Sequence, residues 1–245
     1  MPYRGNAPTE RLTPNSLPLL PPGGRGPHRT PLREESTALH WLAIYYSQTG
    51  QTKRALEAVA APLVAAGHMV TWRRIEPVEP YPFPWPQGRF WGVAPLCKRA
   101  TGCAIQPVDL PPADEVDAIL LGAQPWFLAP APPVMGFLNS AAAEILRDRP
   151  VFPVMTCRAA WRQAYRILAL AIHTHGGRIT SRLILKDRAP TPINIITTVH
   201  YLWRGTDIHE TALGRIWPRF GVSRWGWRQA QHFGAALAQS GDKKT

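Results

Sequence analysis

The sequence has little cysteine: three residues in 245, at Cys97, Cys103 and Cys157. An odd number without C-x-x-C spacing excludes a disulfide framework and a tetrahedral zinc site. It reads as reduced thiols in a cytoplasmic protein. Acidic residues are also scarce, 16 Asp and Glu against 28 Lys and Arg, giving a formal net charge of +12. That deficit argues against a one-electron carrier that docks through an acidic face. The positive charge is not gathered into a Lys/Arg block, and no DNA- or RNA-binding motif accompanies it. It therefore reads as a solvated, Arg-rich surface and not as a nucleic-acid interface. No apolar run reaches the roughly 18 residues of a membrane helix. The opening residues lack a secretory apolar region, Ser16–Leu20 (SLPLL) being too short for one. Two nucleotide motifs are missing as well. Gly50 is followed by Gln51-Thr52 and not by the Lys-Ser/Thr of a Walker A loop, and G-x-G-x-x-G does not occur.

Two further chemistries fail on spacing. A C-x-x-x-x-x-R phosphatase loop starting at Cys157 needs arginine at position 163, where Gln163 stands, so Cys157 is not read as a nucleophile. His173 and His175 are two apart instead of the four that would let one helix face chelate a metal, and no metal site is assigned. His200 and Tyr201 are acid–base candidates by residue type alone.

What is present is a folded pattern that begins at His40. The preceding segment, 1–37, holds eight prolines and no apolar periodicity. It cannot bury enough surface to offset its ordering entropy and is expected to be disordered. The domain proper is expected over 38–238, with a flexible tail at 239–245. Hydrophobic residues make up 45% of the chain, enough for a sizeable core. Trp41–Tyr46 is a continuous apolar run, as in a strand buried on both faces. Leu56, Val59, Ala60, Leu63 and Val64 recur at helical spacing and are closed by Gly67. Strands are then expected at Met69–Ile75, Asp117–Gly122, Pro150–Thr156 and Arg178–Lys186. Helices are expected on the face Val134–Leu146, from Trp161 to Ile172, and at Arg228–Ala238. Glu76–Pro112 is a long proline-rich loop with WPQGRFWG at its centre, and such loops are usually functional. Strands alternating with helices imply right-handed crossovers. The fold class is thus α/β, a three-layer sandwich on a five-stranded parallel sheet of order 2-1-3-4-5. Ligands of such sheets lie beyond the strands' carboxyl ends, beside strand 1.

The sharpest local signal is at that position. Ser47, Gln48, Thr49, Gly50, Gln51 and Thr52 link a buried strand to an amphipathic helix. Three hydroxyls fall within six residues, and Gly50 lets the backbone turn tightly. The helix start adds unpaired amides and the positive end of its dipole. Together these suit a monoester phosphate. An ordinary hydroxyl-capped helix start is the plainer alternative. The next loops on the same rim are Ala123–Pro130 and Thr156–Trp161. In the first, with Pro125, either Trp126 or Phe127 stacks on a flat ring, or both are core or lid aromatics. In the second, beside Cys157, Arg158 either offsets charge on an anionic ligand or forms a salt bridge.

The S-x-T-G-x-T pattern resembles the FMN-phosphate loop of flavodoxins, with Gln51 where they usually have asparagine. This resemblance implies a flavodoxin-like fold with FMN, and Ser47, Thr49, Gly50, Gln51 and Thr52 on its phosphate. Several stretches are further similar to the dialkylresorcinol condensing enzyme family, a group with the flavodoxin fold. They are Tyr45–Gln51 (YYSQTGQ), Ile75–Trp85 (IEPVEPYPFPW), Gln124–Pro130 (QPWFLAP), Thr156–Trp161 (TCRAAW) and the Thr197-Thr198 region. That similarity implies secondary metabolism: a flavin-dependent oxidation aromatising a cyclic dione made from two β-ketoacyl chains by a partner ketosynthase. The word "condensing" does not suit this chain, which has no ketosynthase nucleophile with partner histidines. Trp85, Phe90, Trp91, Trp126 and Phe127 would line an apolar cleft for the substrate's alkyl arms. An acyl carrier protein docked on the basic surface, and a second copy of the chain, are further candidate partners. The competing readings are an NAD(P)H-dependent quinone or FMN reductase, an electron carrier, and a scaffold without flavin.

Overall fold

The computed structural model describes residues 38–158, 161–211 and 214–241. The proline-rich segment 1–37 lies outside the described residues, as do 159–160, 212–213 and 242–245. The described residues fall within one compact unit, Ser36–Thr245.

The apolar runs form the strands that their composition predicts. They are β1 (His40–Tyr45), β2 (Met69–Arg74), β3 (Ala118–Ala123) and β6 (Pro150–Cys157). β1 and β3 are buried at every position, as sheet interiors covered on both faces must be. β2 carries Arg73 and Arg74 and is partly exposed, in keeping with its place at the sheet edge. The expected last strand, 178–186, is broken into β7 (Arg178–Ile179) and β8 (Leu183–Lys186), both parallel to β6. Val151 pairs with Ile179 and Val154 with Leu183, so three steps of β6 oppose four of its neighbour. This is a one-residue bulge. The sheet is parallel throughout, in the order β2-β1-β3-β6 followed by β7 and β8. With the broken strand counted as one, that is the flavodoxin-like order 2-1-3-4-5.

Alternate strand residues face two separate layers. Trp41, Ala43, Tyr45, Leu120 and Val154 pack on helices α1 (Gln51–Ala65) and α7 (Arg224–Gly241). Leu42, Ile44, Ile119, Leu121 and Met155 pack on α4 (Pro132–Leu138), a 3-10 segment (Ala141–Leu146) and α5 (Trp161–Thr174). The helix face expected over Val134–Leu146 is thus split, half α-helical and half 3-10. Leu56, Val59 and Leu63 on α1 are fully buried, each contributing about 1.5–3 kcal/mol. α1 and α7 touch through Gly234, where an added Cβ would lie 2.1 Å from the Val59 carbonyl oxygen. The closing helix reaches Gly241, so 239–241, expected as tail, continue it.

Three additions to this frame surround the carboxyl rim. The long loop carries two short helices, α2 (Gln87–Gly92) and α3 (Ala94–Arg99). Within Gln124–Pro130, β4 (Pro125–Trp126) and β5 (Ala129–Pro130) form a hairpin. A helix that the sequence pattern did not announce, α6 (Ile193–Arg204), follows β8. The acid–base candidates His200 and Tyr201 are on it.

Candidate functional site

β1, β3, β6 and β8 all end on one rim, and the loops leaving them surround a cavity of about 360 Å³. The turn after β1 supplies Gln48, Thr49, Gln51 and Thr52 to its wall, the hairpin supplies Gln124–Phe127, and the end of β6 supplies Thr156, Cys157 and Arg158. The three loops singled out in the sequence therefore converge. Ser47 and Gly50 belong to the same turn without lining the cavity itself.

The turn is built mostly from backbone. Gly50 stands at the helix N-cap with φ of 76°, a left-handed conformation that an L side chain resists, and open space lies where its Cβ would be. The amides of Gly50, Gln51 and Thr52 meet no acceptor among the described residues, and no acidic side chain occupies the first turn of α1. The hydroxyls have distinct jobs. Ser47 Oγ accepts the Lys53 amide at 3.3 Å. Thr52, 2% exposed, is tied inward: its Oγ1 donates to Gln124 Oε1 at 2.9 Å and lies 2.8 Å from Thr156 Oγ1. Thr52 thus locks the three loops together. Gln51 turns away to the far side, its Oε1 accepting the Val222 amide at 3.3 Å. Gln48 accepts from the Tyr46 hydroxyl and donates to the carbonyls of Tyr81 and Pro82 at 3.2 and 3.1 Å, anchoring the aromatic loop.

The hairpin side is aromatic. Trp126 makes edge-to-face contacts with Tyr46, Tyr81 and Trp85 at centroid distances of 5.9, 4.9 and 5.0 Å, so it is a cage member more than an open platform. Phe127 sits at the hairpin tip, 40% exposed, with φ of 55°, an uncommon conformation for a bulky residue. Trp85 and Trp91 line the cavity as expected from the loop. The Phe90 side chain lies outside the described residues.

The opposite side is assembled from distant residues. The Arg158 guanidinium stacks 4.8 Å above Phe220, which stacks at 4.1 Å on Tyr201 of α6. Burial, partly offset by the charge of Asp187, brings the Arg158 pKa down to about 10. It forms no ion pair within 4 Å among the described residues. Asp187, the one carboxylate on the wall among the described residues, accepts the amides of Ala189 and Gly221, each at 3.0 Å. Burial still pushes its pKa up, against the opposing pull of those amides and of Arg158. Burial also pushes the Cys157 thiol up to about 12, which leaves it un-ionised and without nucleophilic character at neutral pH. Ile195, Thr198, Val199 and Leu202 of α6 close the roof, and the Trp85 amide ties the aromatic loop to the Leu202 carbonyl at 2.7 Å. Asp187, Phe220 and the apolar α6 residues Ile195, Val199 and Leu202 escaped the sequence reading, whereas Thr198 lies in the Thr197-Thr198 stretch that it singled out. Asp187 carried one available signal, as the first residue beyond an expected strand end, whereas nothing local marks Phe220.

The walls fit a flavin nucleotide. Two buried donors, Gln124 Nε2 and Arg158 Nε, meet no acceptor among the described residues, and the ring of a flavin offers carbonyl oxygens and bare nitrogens. The volume falls in the usual range for small-molecule sites.

Neither a protein-family model nor a curated protein matches the chain. Among solved structures it is similar to a flavodoxin from the domain Archaea, at 11% identity over 83% of this chain and 99% of that one, with a TM-score of 0.47. It is similar to a flavoprotein in complex with FMN from Lactobacillus acidophilus NCFM, at 19% identity over 60% and 93%, TM-score 0.49. A flavodoxin, WrbA-like protein from Agrobacterium tumefaciens matches at 16% identity over 85% and 100%, TM-score 0.45.

Proposed function

We propose that the rim cavity binds FMN and that the chain is an FMN-dependent oxidoreductase acting on an apolar cyclic substrate. The observation that carries this reading is the meeting of three rim loops around one cavity, with open helix-start amides at one side and two acceptor-less buried donors in its wall. Bound FMN supplies a two-electron acceptor at its ring N5. The chain's own residues do the rest. The amides of Gly50, Gln51 and Thr52 hold the phosphate with the aid of the α1 dipole. Gln124 and Arg158 donate to the ring, and the Arg158 charge favours its reduced, anionic form. Trp85, Trp91, Val93 and Leu202 keep water out and offer apolar surface to the substrate.

The finer reading is aromatisation of a cyclic dione to a dialkylresorcinol, supported by the sequence resemblance. That change removes one hydride and one proton from the substrate ring, and Asp187 is the base on the wall able to take the proton. A ketosynthase upstream and an acyl carrier protein on the basic surface belong to the same proposal. The test is the absorbance spectrum of purified protein, before and after incubation with FMN and desalting. The expected result is an oxidised-flavin spectrum and one FMN released per chain on denaturation. A colourless protein that takes up no FMN overturns the assignment.

A further inference from the structure

A second cavity, of about 440 Å³, lies behind the first, and Arg158 and Asp187 line both. Among the described residues its wall carries Arg158, Arg162, Lys186 and Arg188 against the single carboxylate of Asp187. That carboxylate is already engaged by two backbone amides. None of the four cations lies within 4 Å of a carboxylate among the described residues. Arg188 is held in place without losing its charge, donating to the carbonyls of Gly221 and Val222 at 3.3 and 2.9 Å. α6 opens beside the cavity with no acidic residue in its first turn, which adds a positive dipole end. Trp161 provides an aromatic ring at the edge. Isolated surface arginines are ordinary. Four cations with no ion pair among the described residues converge on one hollow, Arg162 packing 5.2 Å over the Trp161 ring, and next to a redox-type pocket they form an anion receptor.

We propose that this hollow binds the phosphorylated adenosine end of a co-substrate, whose reactive end reaches past Arg158 into the first cavity. Phosphates sit on Arg162, Lys186 and Arg188, and the purine meets Trp161. Two kinds of co-substrate share this chemistry: a 2′-phosphorylated nicotinamide dinucleotide and a coenzyme A thioester. The anion site stands independently of the flavin, while delivery of the reactive end to a redox centre rests on the FMN reading.

The test uses full-length protein titrated calorimetrically with adenosine 2′,5′-bisphosphate, adenosine 3′,5′-bisphosphate, inorganic pyrophosphate and unphosphorylated adenosine. Bisphosphate binding that weakens with salt is expected, and adenosine alone should not bind. In Arg162→Ala/Lys186→Ala the affinity falls about a hundredfold or more, as the loss of two charge-assisted contacts implies. Both replaced side chains are exposed, so the fold and the flavin spectrum are retained. Preference for the 2′,5′ isomer supports the dinucleotide, and preference for the 3′,5′ isomer the thioester. Equal binding of pyrophosphate supports the phosphate seat and overturns the purine contact. Absence of binding by wild type, or binding that the double variant leaves unchanged, overturns the proposal even where the flavin spectrum is present.

Discussion

Two sides of the rim cavity are made in different ways. One is a single backbone turn, 47–52, in which six consecutive residues hold every group that matters and tertiary contacts only steady it. The other is a mosaic of Arg158, Asp187 and Phe220, drawn from three loops up to 62 residues apart in sequence. A backbone wall is defined by conformation, so its weak point is the residue that permits the conformation. A side-chain wall is defined by burial and charge, so its weak points are the desolvated groups. The first kind tolerates changes in side chain and fails on a change in φ. The second tolerates small movements and fails when one charge is altered.

That contrast can be broken, most severely at the turn. Gly50→Val forces a branched residue into a left-handed backbone, at about 1–2 kcal/mol, and puts methyl groups into the open space in front of the amides. FMN affinity is expected to fall about a hundredfold, combining that strain with a lost charge-assisted contact of about 1.5–3 kcal/mol. Flavin fluorescence titration checks this, and an unchanged dissociation constant would show that the turn does not hold the phosphate. Arg158→Met keeps the stem and removes the charge. Flavin affinity should drop about tenfold, while the thermal midpoint holds or rises, because a desolvated guanidinium without an ion pair contributes little to stability. A large fall in midpoint would make Arg158 structural.

Asp187→Asn sharpens the comparison through pH. Burial raises the carboxyl pKa of the folded chain above that of the unfolded one. Below about pH 4 both states hold the proton and the burial is harmless. As pH rises through the folded pKa, the ionised form must be kept in partly apolar surroundings, and stability is lost on that rise. Wild type should therefore show a downward slope of stability with pH in that window, measured by denaturant melts. The asparagine variant should lack it, after a uniform penalty of about 1–2 kcal/mol for one amide left poorly paired. Equal slopes would remove Asp187 as a titrating group. The smallest expected effect is at the thiols. With Cys97 and Cys157 both pushed up to about 12 and buried, alkylation of native protein near pH 8 should leave them intact over the time that labels a free thiol. Rapid labelling of Cys157 would mean that this side of the cavity opens.

The same contrast explains what the sequence disclosed. The turn was legible because its signal is local: a buried run, three hydroxyls, a glycine and an amphipathic helix in one string. The sheet order followed from the alternation of strands and helices. Thr52 illustrates the limit. Its presence in the turn was readable, but its inward bonds to Gln124 and Thr156 depend on residues 72 and 104 positions away. Trp126 could not be told apart from a ring platform until Tyr46, Tyr81 and Trp85 were seen packed around it. Helix α6 was hidden because Pro190 and Pro192 precede it and its apolar residues cover a cavity and not a continuous core face. Phe220 has no neighbours in sequence that explain its burial; its partners come from the loop after β6 and from α6.

The bulge between β7 and β8 has a consequence for this mosaic. Counted in twos from Ile179, which packs beside α5, Leu183 and Leu185 would fall in that same layer, yet they pack beside α1 and α7. The extra residue inverts the parity of everything downstream. It is this inversion that brings the strand to its end with Asp187 turned toward Gly221 and the cavity. A variant lacking one residue between 180 and 182 would have to choose between joining the two strand pieces and keeping that carboxylate where it is.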